Sequence, residues 1–198
     1  MSSASRGDGS IGSSRSIVGR DGRRYAFADH NCFACGDTNP IGMHLHIELG
    51  EGEAITTWRA SQDFVGWEDK VHGGLLATLL DEVMAWAPSS YDSWAVTAEM
   101  HIRYRSPANP GEALTARGWV DQRRRRIYHV RGEVRGADGR LIAAADGRFL
   151  GASPSQKADL KARYALPPAG ASAPTPRRQP NATNTTNTTR TREKSTVR

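Results

Sequence analysis

One segment of this chain, residues 73–87, has the pattern of a long amphipathic helix. Its large apolar side chains recur every three or four residues and fill one broad arc of a helical wheel, as expected for a face that packs on a core. These residues are Leu75, Leu76, Leu79, Leu80, Val83 and Met84. The other sector holds small residues around one acid, Asp81, and the helix is predicted to end before Pro88. A lone helix of this kind has to be covered by a sheet, which leaves few architectures.

The segments on both sides of this helix have the patterns of β-strands. Residues 43–49 and 54–58 flank a Gly-Glu-Gly-Glu turn and are predicted to form a hairpin. Residues 94–104 are apolar at every even position, which predicts a long strand with one buried face. Three further strands are predicted near 112–122, 126–136 and 141–150. The predicted order is β-β-α-β-β-β-β, an α+β fold in which one long helix packs against an antiparallel sheet.

The two ends of the chain differ in composition from its middle. Residues 1–24 are rich in Ser, Gly and Arg, and residues 167–198 are rich in Pro, Ala, Thr, Asn and Arg, so both are predicted to be disordered tails around a folded domain at 25–166. The tails carry +3 and +5 of the formal net charge of +6, which leaves the domain at −2. A basic nucleic-acid module is therefore excluded, and no specific nucleic-acid partner is expected.

The chain shows no sign of export or membrane insertion. Its N-terminal residues do not resemble a signal peptide, and no apolar run approaches the ~20 residues that span a bilayer. We therefore expect a cytoplasmic protein that does not insert into a membrane.

The start of the predicted helix has the features of a binding site for a polarised oxygen. In His72-Gly73-Gly74, two glycines leave the first backbone N–H groups of the helix uncovered, and these groups lack intrahelical acceptors. Asp81 lies about 180° round the helix from His72 and about 12 Å along the helix axis. One copy of the segment therefore cannot aim both the N–H groups and the carboxylate at one small substrate. Two copies related by a twofold axis can. The alternative interpretation is that His72-Gly73-Gly74 is a simple tight turn and Asp81 a solvated acid without a binding role. Glu82 lies on the edge of the apolar arc and is a weaker candidate base than Asp81.

A set of motifs spread over residues 30–152 resembles a known family. The chain is similar to the hotdog-fold acyl-CoA thioesterases of the phenylacetate-pathway and human thioesterase-superfamily type. The motifs that carry the resemblance are Cys32-Phe33-Ala34-Cys35-Gly36, Asn39-Pro40-Ile41-Gly42-Met43, Gly66-Trp67, His72-Gly73-Gly74, Asp81 and Thr97. The resemblance implies a sheet wrapped round a central helix, a homodimer or a tetramer of dimers, and hydrolysis of an acyl-coenzyme A thioester at the dimer interface without a metal or other cofactor.

The resemblance also implies a role for each site residue. The Gly73 N–H, helped by Gly74, would hold the thioester carbonyl oxygen, and His72 would shape this turn. Asp81 of the partner chain would be the nucleophile or the general base for water, and Thr97 would orient that carboxylate or the water. A developing oxyanion needs such preorganised donors.

One segment departs from the family pattern. Relatives commonly carry Gln before the Gly-Trp and Pro-Gly before the His-Gly-Gly, whereas here Val65 precedes Gly66-Trp67 and two acids, Glu68-Asp69, fill the Pro-Gly place. Val65, Gly66 and Trp67 are expected to contact substrate, and the two acids would disfavour anionic acyl groups. The missing amide leaves open a non-catalytic acyl-CoA binder or sensor of the same fold, and a hotdog dehydratase ranks last.

Two other motifs each have two interpretations. Cys32-x-x-Cys35 followed by His44 and His46 could form a zinc site, but the spacing fits no strong zinc-finger pattern, and a turn with two reduced thiols is favoured. Residues 123–126 are four consecutive arginines at a predicted strand turn. They form a solvated hairpin, or Arg123 and Arg124 bind the phosphates of coenzyme A, since guanidinium pairs with phosphate bidentately.

Overall fold

The computed structural model of the protein describes residues 16–18, 24–27 and 30–166. The strands are β1 (Ser16–Val18), β2 (Arg24–Phe27), β3 (Glu48–Gly50), β4 (Glu53–Arg59), β5 (Ala95–Tyr104), β6 (Ala113–Arg124), β7 (Ile127–Arg135), β8 (Leu141–Gly151) and β9 (Ala165–Leu166). The helices are α1 (Gly73–Trp86) and α2 (Pro154–Tyr164), and short 3₁₀ turns lie at Gln62–Phe64, Trp67–Asp69 and Ala87–Tyr91.

The strands form one large antiparallel sheet and one small one. The large sheet has six strands in the order β3-β4-β6-β7-β8-β5, and β1, β2 and β9 form a separate sheet of three. Helix α1 packs against β4, β5, β6, β7 and β8, so the sheet covers the helix along its length. The prediction of an α+β fold with one long helix against an antiparallel sheet is confirmed.

The core lies between α1 and the sheet. The apolar face of α1 buries Leu76, Leu79, Leu80, Val83 and Met84, whereas Leu75 is only half-buried. Two glycines let the helix approach the central strands closely. A Cβ at Gly118 in β6 would lie 2.6 Å from the Val83 carbonyl oxygen, and one at Gly132 in β7 would lie 2.8 Å from the Met84 sulfur. A larger residue at Gly118 would push the helix backbone off the sheet, whereas one at Gly132 would displace the Met84 side chain.

Strand β5 departs from the alternation that the sequence predicts. The alternation predicts that Val96, Ala98 and Tyr104 lie on a buried face, but all three are exposed. Of the residues of that face in β5, Met100 and Ile102 pack against the core. The register of β5 against β8 shifts between Thr97 and Glu99, so a bulge breaks the alternation. Because β5 is also the last strand of the sheet, its outer side has no neighbouring strand among the described residues.

The predicted strand at 43–49 is wrong over most of its length, since the strand begins only at Glu48. Met43 and Leu45 are buried as the alternation predicts. Their backbone N–H groups, however, donate to the carbonyl oxygens of Phe33 and Ala34 at 2.8 and 2.9 Å. This segment therefore packs on the turn that contains the two cysteines rather than in the sheet.

Helix α2 follows the last long strand and was not predicted. The Ser153 N–H donates to the Gln156 side chain at 2.9 Å, and the Gln156 N–H donates to the Ser153 hydroxyl at 3.3 Å, a capping box with Pro154 at the first helical position. The Ser-Pro-Ser-Gln segment at residues 153–156 is therefore a sequence signal for the start of α2.

The predicted tails fall mostly outside the described residues. Within the segment 1–24, only β1 and the first residue of β2 are described, and these form strands where the composition predicts disorder. Residues 167–198 lie wholly outside the described part. Neither described helix is long and apolar enough to cross a bilayer.

Candidate active site beside the edge strand

The first turn of α1 leaves one backbone donor open. His72 is the N-cap residue in extended conformation, and its Nδ1 accepts the Gly74 N–H at 2.9 Å. Its carbonyl oxygen accepts the Leu75 N–H at 2.9 Å. Within the part of the chain that the structure describes, the Gly73 N–H has no acceptor. Of the two glycines, Gly73 is therefore the one whose N–H is available to a ligand, because His72 already occupies that of Gly74.

Tyr104, at the far end of β5, flanks the same turn. Its hydroxyl donates to the Gly73 carbonyl oxygen at 3.0 Å, and its ring lies 3.6 Å from where a Cβ on Gly73 would be. No local sequence signal predicts this contact, because it joins residues thirty-one positions apart. Tyr104 holds the glycine turn against the end of the edge strand.

Asp81 and Thr97 are brought together, as the resemblance implies. The Thr97 hydroxyl donates a short hydrogen bond to Oδ1 of Asp81. Thr97 is exposed at the bulge of β5, and Asp81 is half-buried on the side of α1 that faces this strand. The second carboxylate oxygen of Asp81 makes no hydrogen bond to any described residue, so it can act on a bound molecule.

The open N–H and the carboxylate of one protomer do not meet. Gly73 and Asp81 are eight residues apart in one straight helix, which corresponds to about 12 Å along its axis. A bound carbonyl group and the water that attacks it have to lie within about 3 Å of such a donor and such a base. Gly73 and Asp81 of the same chain are therefore too far apart to act together on one carbonyl group.

The segment before the helix packs on the glycine turn. Val65 pairs with Val71, and the Gly66 N–H donates to the Lys70 carbonyl oxygen at 2.7 Å. The site of a Cβ on Gly66 lies 3.3 Å from the His72 ring, so this loop is next to the helix start. Trp67 projects away, 93% exposed. Glu68 and Asp69, the two acids in place of Pro-Gly, both have left-handed backbone conformations, with φ of 52° and 54°.

The arginine run lies at the other end of the helix. Arg123 stacks over the rings of Tyr91 and Tyr128, at 5.3 and 5.5 Å, and Tyr91 ends the 3₁₀ turn that follows α1. Arg123 also lines a basic cleft of about 470 Å³, whereas Arg124 is exposed and does not line it. In the protomer these arginines are therefore separated from Gly73 by the length of α1, roughly 20 Å.

An apolar groove lies beside Thr97. It has a volume of about 520 Å³ and lies between the end of α1, the start of β5 and α2. Its apolar lining includes Trp86, Trp94, Val96, Leu150 and Leu160. Val96 is 65% exposed. The sequence pattern misses this groove because alternation assigns Val96 to the core and α2 is not expected at all.

Glu82, the neighbour of Asp81, has a different environment. The Trp86 indole N–H donates to its Oε1 at 2.6 Å. Burial raises the pKa of this carboxyl above its usual range, although hydrogen bonds from Cys35 and Trp86 oppose the shift. Glu82 faces the inside of the protein and is not placed to act on a ligand at the edge strand.

The two cysteines lie against Glu82 rather than near the histidines that follow them. The sulfurs of Cys32 and Cys35 and a carboxylate oxygen of Glu82 lie within 4.8 Å of one another. Among the described residues, neither His44 nor His46 joins this group. A hydrogen bond from the Cys35 thiol, reinforced by the backbone N–H groups of Cys35 and Ala34, lowers the pKa of Cys32 to about 5.

Comparison with known proteins gives one family. Residues 69–143, which run from the helix start into β8, match the model of the thioesterase superfamily. The conserved protein PA5202 of Pseudomonas aeruginosa is 30% identical in sequence, with 56% of this chain and 90% of that one aligned at a TM-score of 0.52. No protein of curated function matches.

Two more distant structures share the fold. The E. coli PaaI protein of the phenylacetic acid degradation operon is 23% identical, with 56% of this chain and 81% of that one aligned at a TM-score of 0.54. A hypothetical thioesterase of Streptococcus pneumoniae with coenzyme A is 20% identical, with 55% and 86% aligned at a TM-score of 0.53. That protein also has structures of an Asp-to-Ala and a Thr-to-Ala variant, sixteen positions apart.

Proposed function

Because the chain belongs to the thioesterase superfamily and has the hotdog fold, we propose that it is an acyl-CoA thioesterase whose two active sites lie at a homodimer interface. The observation that carries the proposal is the division of one protomer into two half-sites. The open Gly73 N–H is at one end of the exposed edge strand, and the Asp81–Thr97 pair is near the other. The same spacing of sixteen residues separates the Asp and Thr that were replaced in the S. pneumoniae thioesterase.

The partner that completes each half-site is a second copy of this chain. Strand β5 has ten residues, and no strand of the described part of the chain lies on its outer side. It also exposes Val96 and Tyr104, at 65% and 53%. An unpaired strand edge with exposed apolar side chains is rarely left open in a monomer. Antiparallel pairing of β5 with its twofold copy covers both residues and brings the Gly73 end of one strand towards the Asp81 end of the other.

The proposed reaction is hydrolysis without a covalent cofactor. The Gly73 N–H of one protomer donates to the thioester carbonyl oxygen, at the positive end of the α1 dipole. Asp81 of the other protomer, held by Thr97, takes a proton from a water molecule whose oxygen attacks the carbonyl carbon. The carbon–sulfur bond then breaks, and the proton passes to the thiolate of coenzyme A. The products are the free acid and coenzyme A.

The apolar groove favours an uncharged acyl group. Two tryptophans and three aliphatic side chains line it, and it starts beside Val96, one residue before Thr97. The loop before α1 carries Glu68 and Asp69, which repel a second carboxylate on the acyl group. We expect aromatic and medium-length aliphatic acyl-CoAs to react faster than dicarboxylic ones.

The direct test is the release of free thiol from a panel of acyl-CoAs by the wild-type chain and by Asp81→Asn. The proposal requires turnover by the wild type and its loss in the variant. The non-catalytic alternative, favoured by Val65 where relatives carry an amide, predicts saturable binding of acyl-CoA in calorimetry with no thiol release. Clear hydrolysis eliminates it, and hydrolysis that survives in Asp81→Asn overturns the role of Asp81.

Shared sites can be tested by subunit complementation. Proline at Gly73 removes the N–H at a position where helices accept proline, and the extended His72 before it is compatible with proline. A heterodimer of Gly73→Pro and Asp81→Asn chains, isolated with two different tags, keeps one intact site of two. Shared sites predict about half of the wild-type activity from two inactive parents. An inactive heterodimer would show that both groups act within one chain.

A further inference from the structure

Three donor side chains converge on the side of α1 that faces away from the edge strand, and a fourth lies beside them. The sulfurs of Cys32 and Cys35 and an oxygen of Glu82 lie within 4.8 Å of one another. His30 is outside this group of three, but its Nε2 lies 3.9 Å from the Cys35 sulfur. Two sulfurs, one carboxylate oxygen and one imidazole nitrogen are a donor set that suits zinc.

The turn that carries the cysteines is built to hold both sulfurs on one side. The Gly36 N–H donates to the Cys32 carbonyl oxygen at 2.9 Å. A Cβ on Gly36 would lie 2.2 Å from the His30 carbonyl oxygen and 2.4 Å from the Cys32 nitrogen, so only glycine fits. This tight turn keeps the sulfurs of Cys32 and Cys35 close together. Cysteine ligates metals as the thiolate.

The side chains around this cluster include one hydrogen-bond donor to Glu82 and one buried nitrogen atom without a partner among the described residues. The Trp86 indole N–H holds Oε1 of Glu82 at 2.6 Å, as outer hydrogen bonds commonly orient metal-ligating carboxylates. Nδ1 of His30 is buried and has no hydrogen-bond partner among the described residues. His30 as a whole is half-buried, and a buried nitrogen without a partner calls for an explanation. Nε2 is the ring nitrogen beside the Cys35 sulfur, so it is the one that would ligate zinc.

We propose that Cys32, Cys35, Glu82 and His30 form a structural zinc site. Neighbouring donors in a tetrahedral zinc site lie about 3.5–3.8 Å apart, given zinc distances of about 2.3 Å to sulfur and 2.0–2.1 Å to nitrogen or oxygen. Zinc therefore draws the three closest donors together by at most about 1.0–1.3 Å. Zinc binding would displace the proton of the Cys35 thiol, and the divalent cation would then compensate the charge of two thiolates and a carboxylate in one partly buried cluster.

The site connects the first described turn to the catalytic helix. Glu82 follows Asp81 directly in α1, and the cysteine turn is also the platform on which Met43 and Leu45 are hydrogen-bonded. With four protein ligands the metal has no open position, so it does not take part in hydrolysis. The proposal is thus independent of the thioesterase activity and can be tested without an acyl-CoA.

The test begins with the full chain purified without chelators, in which zinc per chain is measured by inductively coupled plasma mass spectrometry. The expected result is about one zinc per chain, with an X-ray absorption spectrum of two sulfur and two nitrogen or oxygen neighbours. Metal is then removed by chelation under reducing conditions, both thiols are verified by titration, and Co²⁺ is added. Intense visible bands of tetrahedral cobalt with thiolate charge-transfer bands are expected.

Two sets of variants locate the ligands. Cys35→Ser and Glu82→Gln are expected to weaken zinc binding by at least about 10- to 100-fold, since even outer-shell changes have effects of that size. His44→Asn and His46→Gln are the matched controls, because these exposed histidines are the ligands of the alternative zinc site, and they are expected to keep full zinc content.

Either of two results would overturn the proposal. One is a fully reduced wild-type chain, with both thiols titratable, that binds neither zinc nor cobalt; the two cysteines would then be a plain dithiol. The other is zinc content that persists in Cys32→Ser or that falls only in the His44 and His46 variants. The cobalt measurement uses the wild-type chain, so it does not depend on the folding of any variant.

Discussion

Asp81 and Glu82 are adjacent carboxylates in one helix, but they lie in opposite environments. Asp81 faces the edge strand, is half-buried, and bonds to the exposed Thr97 hydroxyl. Glu82 faces the cysteine turn, bonds to the Trp86 indole, and has a pKa raised by burial. Since successive residues of a helix differ by about 100°, one step along the chain separates an open side from a closed one. In the proposed function, Asp81 is the acid placed to act on a ligand, whereas Glu82 is enclosed by other side chains.

The largest expected effect compares the two acids directly. Asp81→Asn keeps the shape of the side chain and an oxygen for Thr97, but removes the proton acceptor, so we expect kcat for acyl-CoA hydrolysis to fall about 10²- to 10⁴-fold. Glu82→Gln is expected to lower kcat far less and to lower the midpoint of thermal unfolding. Steady-state kinetics and calorimetry of both variants check this. Equal losses of kcat in the two would break the comparison.

The open donor at the helix start gives the next largest effect. Gly73→Pro removes the N–H and is expected to reduce kcat about 10²- to 10³-fold, the usual effect of losing one oxyanion donor. Gly73→Ala is the matched control, because it keeps the N–H and its Cβ meets only ordinary contacts with the Tyr104 ring. If both variants lose activity equally, the added bulk rather than the missing N–H is responsible.

The sequence predicts the Asp81 side of α1 better than the side that faces the cysteine turn. The helix and its buried face follow from the periodicity of apolar residues. The Asp81–Thr97 pair follows from the resemblance to the family, because these residues belong to its motifs. Bulging of β5 at residues 97–99 does not follow from the residues, since a bulge is set by strand pairing. The exposure of Val96 likewise depends on which strand is last in the sheet.

The cysteine turn shows why local spacing misleads. Cys32 and Cys35 suggest His44 and His46 as partners, since these are the nearest later histidines. The fold instead places Glu82, a residue 47 positions beyond Cys35, beside both sulfurs. No pattern near the cysteines predicts that contact, because it depends on how α1 packs against the turn.

Thr97 provides a smaller test of the open side. Thr97→Ala removes the hydroxyl that positions the Asp81 carboxylate, and the loss of a hydrogen bond to a charged group predicts a fall in kcat of about 10- to 100-fold. KM for acyl-CoA is expected to stay within about twofold, because the hydroxyl acts through Asp81. Thr97→Ser keeps the hydroxyl and is expected to restore most of the activity. Failure of serine to do so would indicate a packing role for the threonine methyl.

A third acid, Asp92, serves as a reference for the comparison of Asp81 with Glu82, because it lies on neither side of α1. Its replacement is expected to have the smallest effect. Burial alone would raise its pKa, but ion pairs with Lys157 and Lys161 of α2 outweigh this and lower the pKa below its usual value. The stabilisation is therefore present above the unfolded-state pKa and is lost as pH falls through the lower folded-state pKa.

Asp92→Asn suits the left-handed backbone at this position, with φ of 54°, and is expected to lower the free energy of unfolding by about 0.5–1 kcal/mol near neutral pH. Urea unfolding of the variant and the wild type should show this difference at pH 7 and its disappearance in acid, with kcat unchanged; a deficit that persists in acid would mean that the carboxylate stabilises α2 by something other than its charge.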